Sequence, residues 1–63
     1  MWKIDESGNA RNTENGDEIF VKSKNRLIRV YYNNIIIAWY SSRRKAKNYV
    51  ENLVTYLNGL KLR

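Results

Sequence analysis

Asn25-Arg26-Leu27-Ile28-Arg29-Val30-Tyr31-Tyr32-Asn33-Asn34-Ile35-Ile36-Ile37-Ala38-Trp39-Tyr40-Ser41-Ser42 is the stretch whose reading decides the fold. Arg26 to Tyr32 and Ile35 to Tyr40 are rich in β-branched and aromatic residues, which suit a pleated, half-buried surface. Asn33-Asn34 reads as the tight turn between them, because Asn tolerates positive φ. Such a turn sets Tyr32 opposite Ile35, Val30 opposite Ile37 and Ile28 opposite Trp39, all on one wholly apolar face. Leu27 opposite Tyr40, Arg29 opposite Ala38 and Tyr31 opposite Ile36 then form the other face, mixed aromatic and cationic. A slip of one residue would exchange the two faces, so the asymmetry itself argues for this register. It puts Trp39 in the core.

Upstream, Ile19-Phe20-Val21 reads as a further strand, and Lys22 to Asn25 as its turn. Trp2 and Ile4 share a parity and suit a short strand or a staple onto the core; the sequence leaves open whether Trp2 lids the core or stays exposed. Residues 5–18 are polar and acidic, with Gly8, Asn9, Asn15 and Gly16, and read as a flexible loop. Asn15-Gly16 is a good type I′ turn pair, but the residues before it lack apolar alternation, which argues against a hairpin there. Downstream, Ser41 or Ser42 suits a helix N-cap. Ala46, Tyr49, Val50, Leu53, Val54 and Leu57 recur at helical spacing as one apolar stripe. Gly59 reads as the stop, with Leu60 packing back. The expected fold is α+β: a three-stranded antiparallel sheet with one C-terminal helix across its apolar face, a single domain over residues 1–63.

With 63 residues, the chain buries only about 60% of its unfolded surface and is marginally stable. It has no Cys and no His, which excludes a disulfide, a thiolate site and an imidazole-based zinc site. No metal and no cofactor are expected. Catalysis finds little footing: there is no Cys nucleophile or His base, no Gly-rich phosphate loop, and no second acidic cluster beside Asp5-Glu6 or Asp17-Glu18. The expectation is a protein that is not an enzyme. The first residues lack an apolar signal region, and Ile35 to Tyr40 is far short of the ~20 residues of a membrane helix. These features point to a cytoplasmic protein with no membrane partner.

Charge carries the functional reading. Five of the six acids (Asp5, Glu6, Glu14, Asp17, Glu18) lie in the first 18 positions, whereas residues 19–63 hold ten Lys or Arg against Glu51 alone. The net charge is +6, and a long basic surface on a small domain suggests a polyanionic partner. One cationic set is Arg43, Arg44, Lys45 and Lys47 at the helix start. The helix dipole is positive there, and each exposed cation costs roughly 0.3–1 kcal/mol. An anion at that end would meet backbone N–H groups, Ser hydroxyls and cations together. That set reads as a phosphate clamp, or as a solvated basic surface. The other set is Lys22, Lys24, Arg26 and Arg29 with Tyr31 and Tyr40. Arginine among aromatics on an open sheet face can read base edges or stack on unpaired bases. The same residues also suit a protein interface, or a plain surface charged to deter edge pairing.

The quoted stretch, with Ala46, Tyr49 and Leu57-Asn58-Gly59, resembles the AP2-like module, a group that includes the arm-site-binding domains of phage and transposon tyrosine integrases. The resemblance spans about residues 19–59. It implies a three-stranded antiparallel sheet on a helix, with the sheet laid in the DNA major groove. Arg26 and Arg29, with Tyr31 and Tyr40, stand at the module's contact positions. Acidic residues often follow the Ser or Thr in that module; here Arg43-Arg44-Lys45 stand instead. The chain also resembles small phage and mobile-element proteins, a likeness that implies no activity. The expected function is sequence-tolerant or accessory DNA binding, with RNA as the other nucleic acid. A protein-binding module that inhibits or redirects a host factor is the alternative, and a homodimer is compatible with both.

Overall fold

The computed structural model describes residues 1–61. The chain forms β1 (Trp2–Ile4), β2 (Ala10–Asn12), β3 (Glu18–Lys24), β4 (Leu27–Tyr32), β5 (Ile35–Tyr40) and α1 (Arg43–Lys61). The strands make one antiparallel sheet in the order β1-β2-β3-β4-β5, with the helix packed on one face. The class is α+β with a C-terminal helix, but the sheet has five strands rather than three.

The two extra strands are β1, which the shared parity of Trp2 and Ile4 allows, and β2, which lies in the stretch read as a loop; each adds a buried residue, Trp2 and Ala10, to the core, and polar groups shape the loops beside them. The Asp5 carboxylate accepts the N–H groups of Ser7 at 2.9 Å and Asn9 at 3.0 Å, and Asp5 N–H donates to the Asn9 carbonyl at 2.8 Å. Gly8, at φ +88°, completes this loop between β1 and β2. After β2, the Asn12 side chain accepts the Glu14 N–H at 2.9 Å, and Asn12 N–H donates to the Asp17 carbonyl at 2.8 Å. Residues 5–18 are therefore not one loop, and a hairpin does turn through Gly16 at φ +79°.

Lys22 and Lys24 lie in β3, and the turn they were expected to form is Asn25-Arg26 instead. Both turn residues have positive φ, 52° and 66°, as a type I′ turn requires. Asn33, at φ 56°, turns β4 into β5. Tyr32 faces Ile35 and Tyr31 faces Ile36, as the sequence implies. The register then shifts by one, so that Val30 faces Ala38, Arg29 faces Trp39 and Ile28 faces Tyr40. Ile37 is the extra, unpaired residue of a β-bulge. Because side chains alternate, one inserted residue exchanges the faces of everything beyond it. Trp39 is thereby turned out of the core, 59% exposed. Tyr40 is turned in, its ring 5.6 Å from that of Tyr49 on the helix.

The helical stripe covers the sheet as its spacing implies. Ala46, Val50 and Val54 are buried on Ile19, Ile28 and Val30, with Tyr49, Leu53 and Leu57 packed around them. Burial of this stripe holds the helix, since isolated helices of this length are marginal in water. The helix runs on through Gly59 to Lys61, so Gly59 is not its stop, and Leu60 is exposed rather than packed back. Trp2 is a core residue, 7% exposed, with its ring 5.7 Å from Tyr32. The Asn58 amide fixes it there: Trp2 N–H donates to Asn58 Oδ1 at 2.9 Å, and Asn58 Nδ2 donates to the Trp2 carbonyl at 3.2 Å. Helix α1 thus covers the outer edge of β1.

Two measurements check this architecture. With Trp2→Phe, the remaining Trp39 should fluoresce like tryptophan in water and be quenched by iodide; with Trp39→Phe, Trp2 should emit to the blue and resist the quencher. Asn58→Ala should lower stability by about 1–2 kcal/mol in urea unfolding, from two lost part-buried hydrogen bonds, and should speed amide exchange in β1 first.

Candidate nucleic-acid interface

Cross-strand pairing lays out the face opposite the helix in rows. Lys22, Arg29 and Trp39 form one row across β3, β4 and β5. Phe20, Tyr31 and Ile36 form the next. The Phe20 and Tyr31 rings are stacked, with centroids 4.9 Å apart and planes 12° from parallel. Lys22 Nζ stands over both, 5.2 Å from the Phe20 centroid and 5.9 Å from that of Tyr31. Such a cation is attracted by the negative ring faces. Trp39 has no ring partner among the described residues. Its neighbour Arg29 is half-buried, and the Arg29 Nε is enclosed with no hydrogen-bond acceptor. An enclosed donor left unpaired costs about 1–3 kcal/mol.

The sequence-derived residues separate into three groups. Lys22, Arg29 and Tyr31 share this open face, and Lys24 continues it at the end of β3. Arg26 stands on the adjoining turn rather than in a strand. Arg43, Arg44, Lys45 and Lys47 occupy the helix start, all exposed. Tyr40 leaves the set, because the bulge puts it beneath the helix. Phe20 and Trp39 join it. Phe20 was legible, since its parity opposes that of Ile19 and Val21; Trp39 was not, because nothing local marks the bulge.

The topology also gathers the charge. Strand β3 ends at Lys24, β4 begins at Leu27, β5 ends at Tyr40 and α1 begins at Arg43, so the Asn25-Arg26 turn and the helix start lie at the same end of the sheet. No acid occupies the first helical turn, and Ser42 stands just before it, its carbonyl accepting the Ala46 N–H at 3.1 Å. Among the described residues neither Ser41 nor Ser42 caps the helix with its hydroxyl, so the positive dipole end adds to the cations unopposed.

Glu14, Asp17 and Glu18 lie at the opposite end, beside the Asn33 turn. The Asp17 carboxylate accepts the Tyr32 hydroxyl at 3.0 Å and Asn33 Nδ2 at 3.3 Å, and the Asn33 side chain accepts Glu18 N–H at 2.9 Å. Arg11 pairs with Glu18 at 3.1 Å. The molecule measures 38 × 19 × 19 Å, and Glu14, Asp17 and Glu18 lie at the end away from the Asn25-Arg26 turn, whereas the loop that carries Asp5 and Glu6 passes Lys47, its Gly8 packed against the Lys47 side chain. Away from the basic end, an open depression lined by Lys3, Asp5, Asn9, Arg11, Glu18 and Phe20 mixes both signs and offers no uniform field. Among the described residues no group of acids could hold a metal ion, and no helix is long and apolar enough to cross a membrane. No family model, curated protein or solved structure matches the chain.

Burial raises the Tyr32 pKa above 10.0, and the hydrogen bond and negative charge of Asp17 raise it further. The folded state therefore keeps this proton to higher pH than the unfolded chain does. Its contribution to stability is intact below pH 10.0 and is lost as pH climbs through the folded-state value. Tyr32→Phe should lower stability at neutral pH by about 1 kcal/mol. The gap between the two proteins should close above pH 10.0, as read by urea unfolding at a series of pH values.

Proposed function

We propose that the protein binds nucleic acid with the open sheet face and the basic end as one continuous surface. The observation that carries this reading is the placement of Lys22, Lys24, Arg26, Arg29, Arg43, Arg44, Lys45 and Lys47. They come from β3, the following turn, β4 and the helix start, and the topology collects them at one end. Glu14, Asp17 and Glu18 lie at the other end, and no acid occupies the first helical turn. Arg43, Arg44 and Lys45 raise the energy of a helix start, a cost that phosphate binding would reverse. Lys22 and Arg29 stand among aromatic rings, the combination that engages bases as well as backbone. The role in this reading is binding, sequence-tolerant or accessory to another factor.

One observation favours a second reading. β5 is an uncovered edge strand whose six residues carry no charge, and its Ile35 is 70% exposed. Most edge strands are blunted by Lys, Pro or a covering element. Here only the bulge interrupts the edge, which fits pairing with a protein strand, including a second copy of this chain.

Fluorescence titration with oligonucleotides at two salt concentrations tests the main reading. Four to six phosphate contacts give a log–log salt slope between about −3 and −5, from roughly −0.7 per contact for single strands to −0.9 for duplex. Arg43→Glu with Arg44→Glu should weaken binding at least tenfold and flatten that slope. Absence of binding to any oligonucleotide at about 50 mM salt, where such contacts are strong, would defeat it. Capture of a protein that survives nuclease treatment, lost on Ile35→Lys but kept in the arginine variant, would favour the second.

A further inference from the structure

We infer that the nucleic acid is single-stranded, and that Trp39 with the Phe20–Tyr31 pair forms a platform on which unpaired bases stack. This rests on the nucleic-acid reading above and specifies its ligand. Two observations carry it. Trp39 presents a ring 59% exposed and without a ring partner among the described residues, on the same face as the cations Lys22 and Arg29. A duplex hides its base faces inside the helix and offers such a ring nothing to stack on. An unpaired base offers a π-face whatever its identity.

The second observation is the spacing. Tyr31 and Trp39 lie on adjacent strands and two residues apart in register. Strands about 4.8 Å apart and a rise of about 3.3 Å per residue put their Cα atoms about 8 Å from each other. Two neighbouring bases of an extended strand can each take one ring. Lys22, held over Phe20 and Tyr31, and Arg29, beside Trp39, are then within reach of the phosphates between them. The unpaired Arg29 donor belongs to this row, and an acceptor brought by a ligand would let the guanidinium reorient to satisfy it.

The test uses the full chain with oligo-thymidylate, oligo-uridylate and a mixed-sequence duplex, each about 15 nucleotides or base pairs long, within the usual site size of such surfaces. At equal salt, at least one single strand should bind tenfold or more tighter than the duplex, and the two oligonucleotide arms tell DNA from RNA. In the Trp2→Phe protein, Trp39 emission should be quenched on binding. Trp39→Ala should weaken single-strand binding about five- to a hundredfold; Trp39→Phe, which keeps a ring, should retain most of the affinity. Duplex binding equal to or tighter than both single strands overturns the inference, as does unchanged single-strand affinity in Trp39→Ala; either result leaves the nucleic-acid reading standing. Failure of all three probes to bind overturns both.

Discussion

Ile37 is one residue more than the β4–β5 ladder can pair, and the two faces of the sheet follow from that surplus. Between the Asn33 turn and the bulge the strands pair as the turn dictates. Beyond it every side chain of β5 has changed sides relative to β4. Tyr40 thereby meets Tyr49 and closes the core at the point where the chain enters the helix. Trp39 is placed beside Arg29 on the opposite side. Bulges bend and twist the strand that carries them, and this one sits on an edge strand, where it also disrupts a run of unpaired backbone groups. The same local irregularity completes the core and exposes the ring on which base stacking depends.

Core and surface are linked through the helix. Ala46, Val50 and Val54 hold α1 against Ile19, Ile28 and Val30, which fixes the helix start beside the Asn25-Arg26 turn. Cations far apart in sequence, Lys24 and Arg44 for example, lie toward the same end of the molecule because this packing exists. The chain accepts local costs there: cations at a positive dipole end, Arg26 at positive φ, and an enclosed Arg29 Nε without an acceptor. Each is small beside a stability of several kcal/mol. All three fall on or next to the proposed binding surface, where departures from local optimality are expected in functional proteins.

The acidic N-terminal region supplies the other half of the polarity. Its loops are closed by the Asp5, Asn9, Asn12 and Asn15 side chains accepting backbone N–H groups, including Asn9 accepting Val21 N–H at 2.9 Å, and by the Asp17 carbonyl accepting Asn12 N–H at 2.8 Å. These contacts fix the loops, and Asn58 ties β1 to the far end of the helix. The result is a body with Glu14, Asp17 and Glu18 at one end and Arg26, Arg43 and Arg44 at the other, an asymmetry that orients a domain as it approaches a polyanion.

The amino-acid sequence by itself determined the class, the β4–β5 hairpin as far as Ile36, the apolar stripe of α1 and the split of charge between residues 1–18 and 19–63. Those follow from residue type and spacing within a few positions, which is where propensity, turn chemistry and periodicity act. The tertiary structure alone decided the five-stranded width, the bulge at Ile37 and the continuation of the helix through Gly59. β1 is marked only by the parity of Trp2 and Ile4, and β2 by no apolar pattern; their pairing is fixed by burial of Trp2 and Ala10 and by side chains reaching backbone across the loops and from Asn58. The bulge is selected by the fit of Tyr40 against the helix, a contact no local pattern encodes. So the sequence named Arg29, Tyr31 and the basic helix start, but packing withdrew Tyr40 from that surface and put Trp39 in its place.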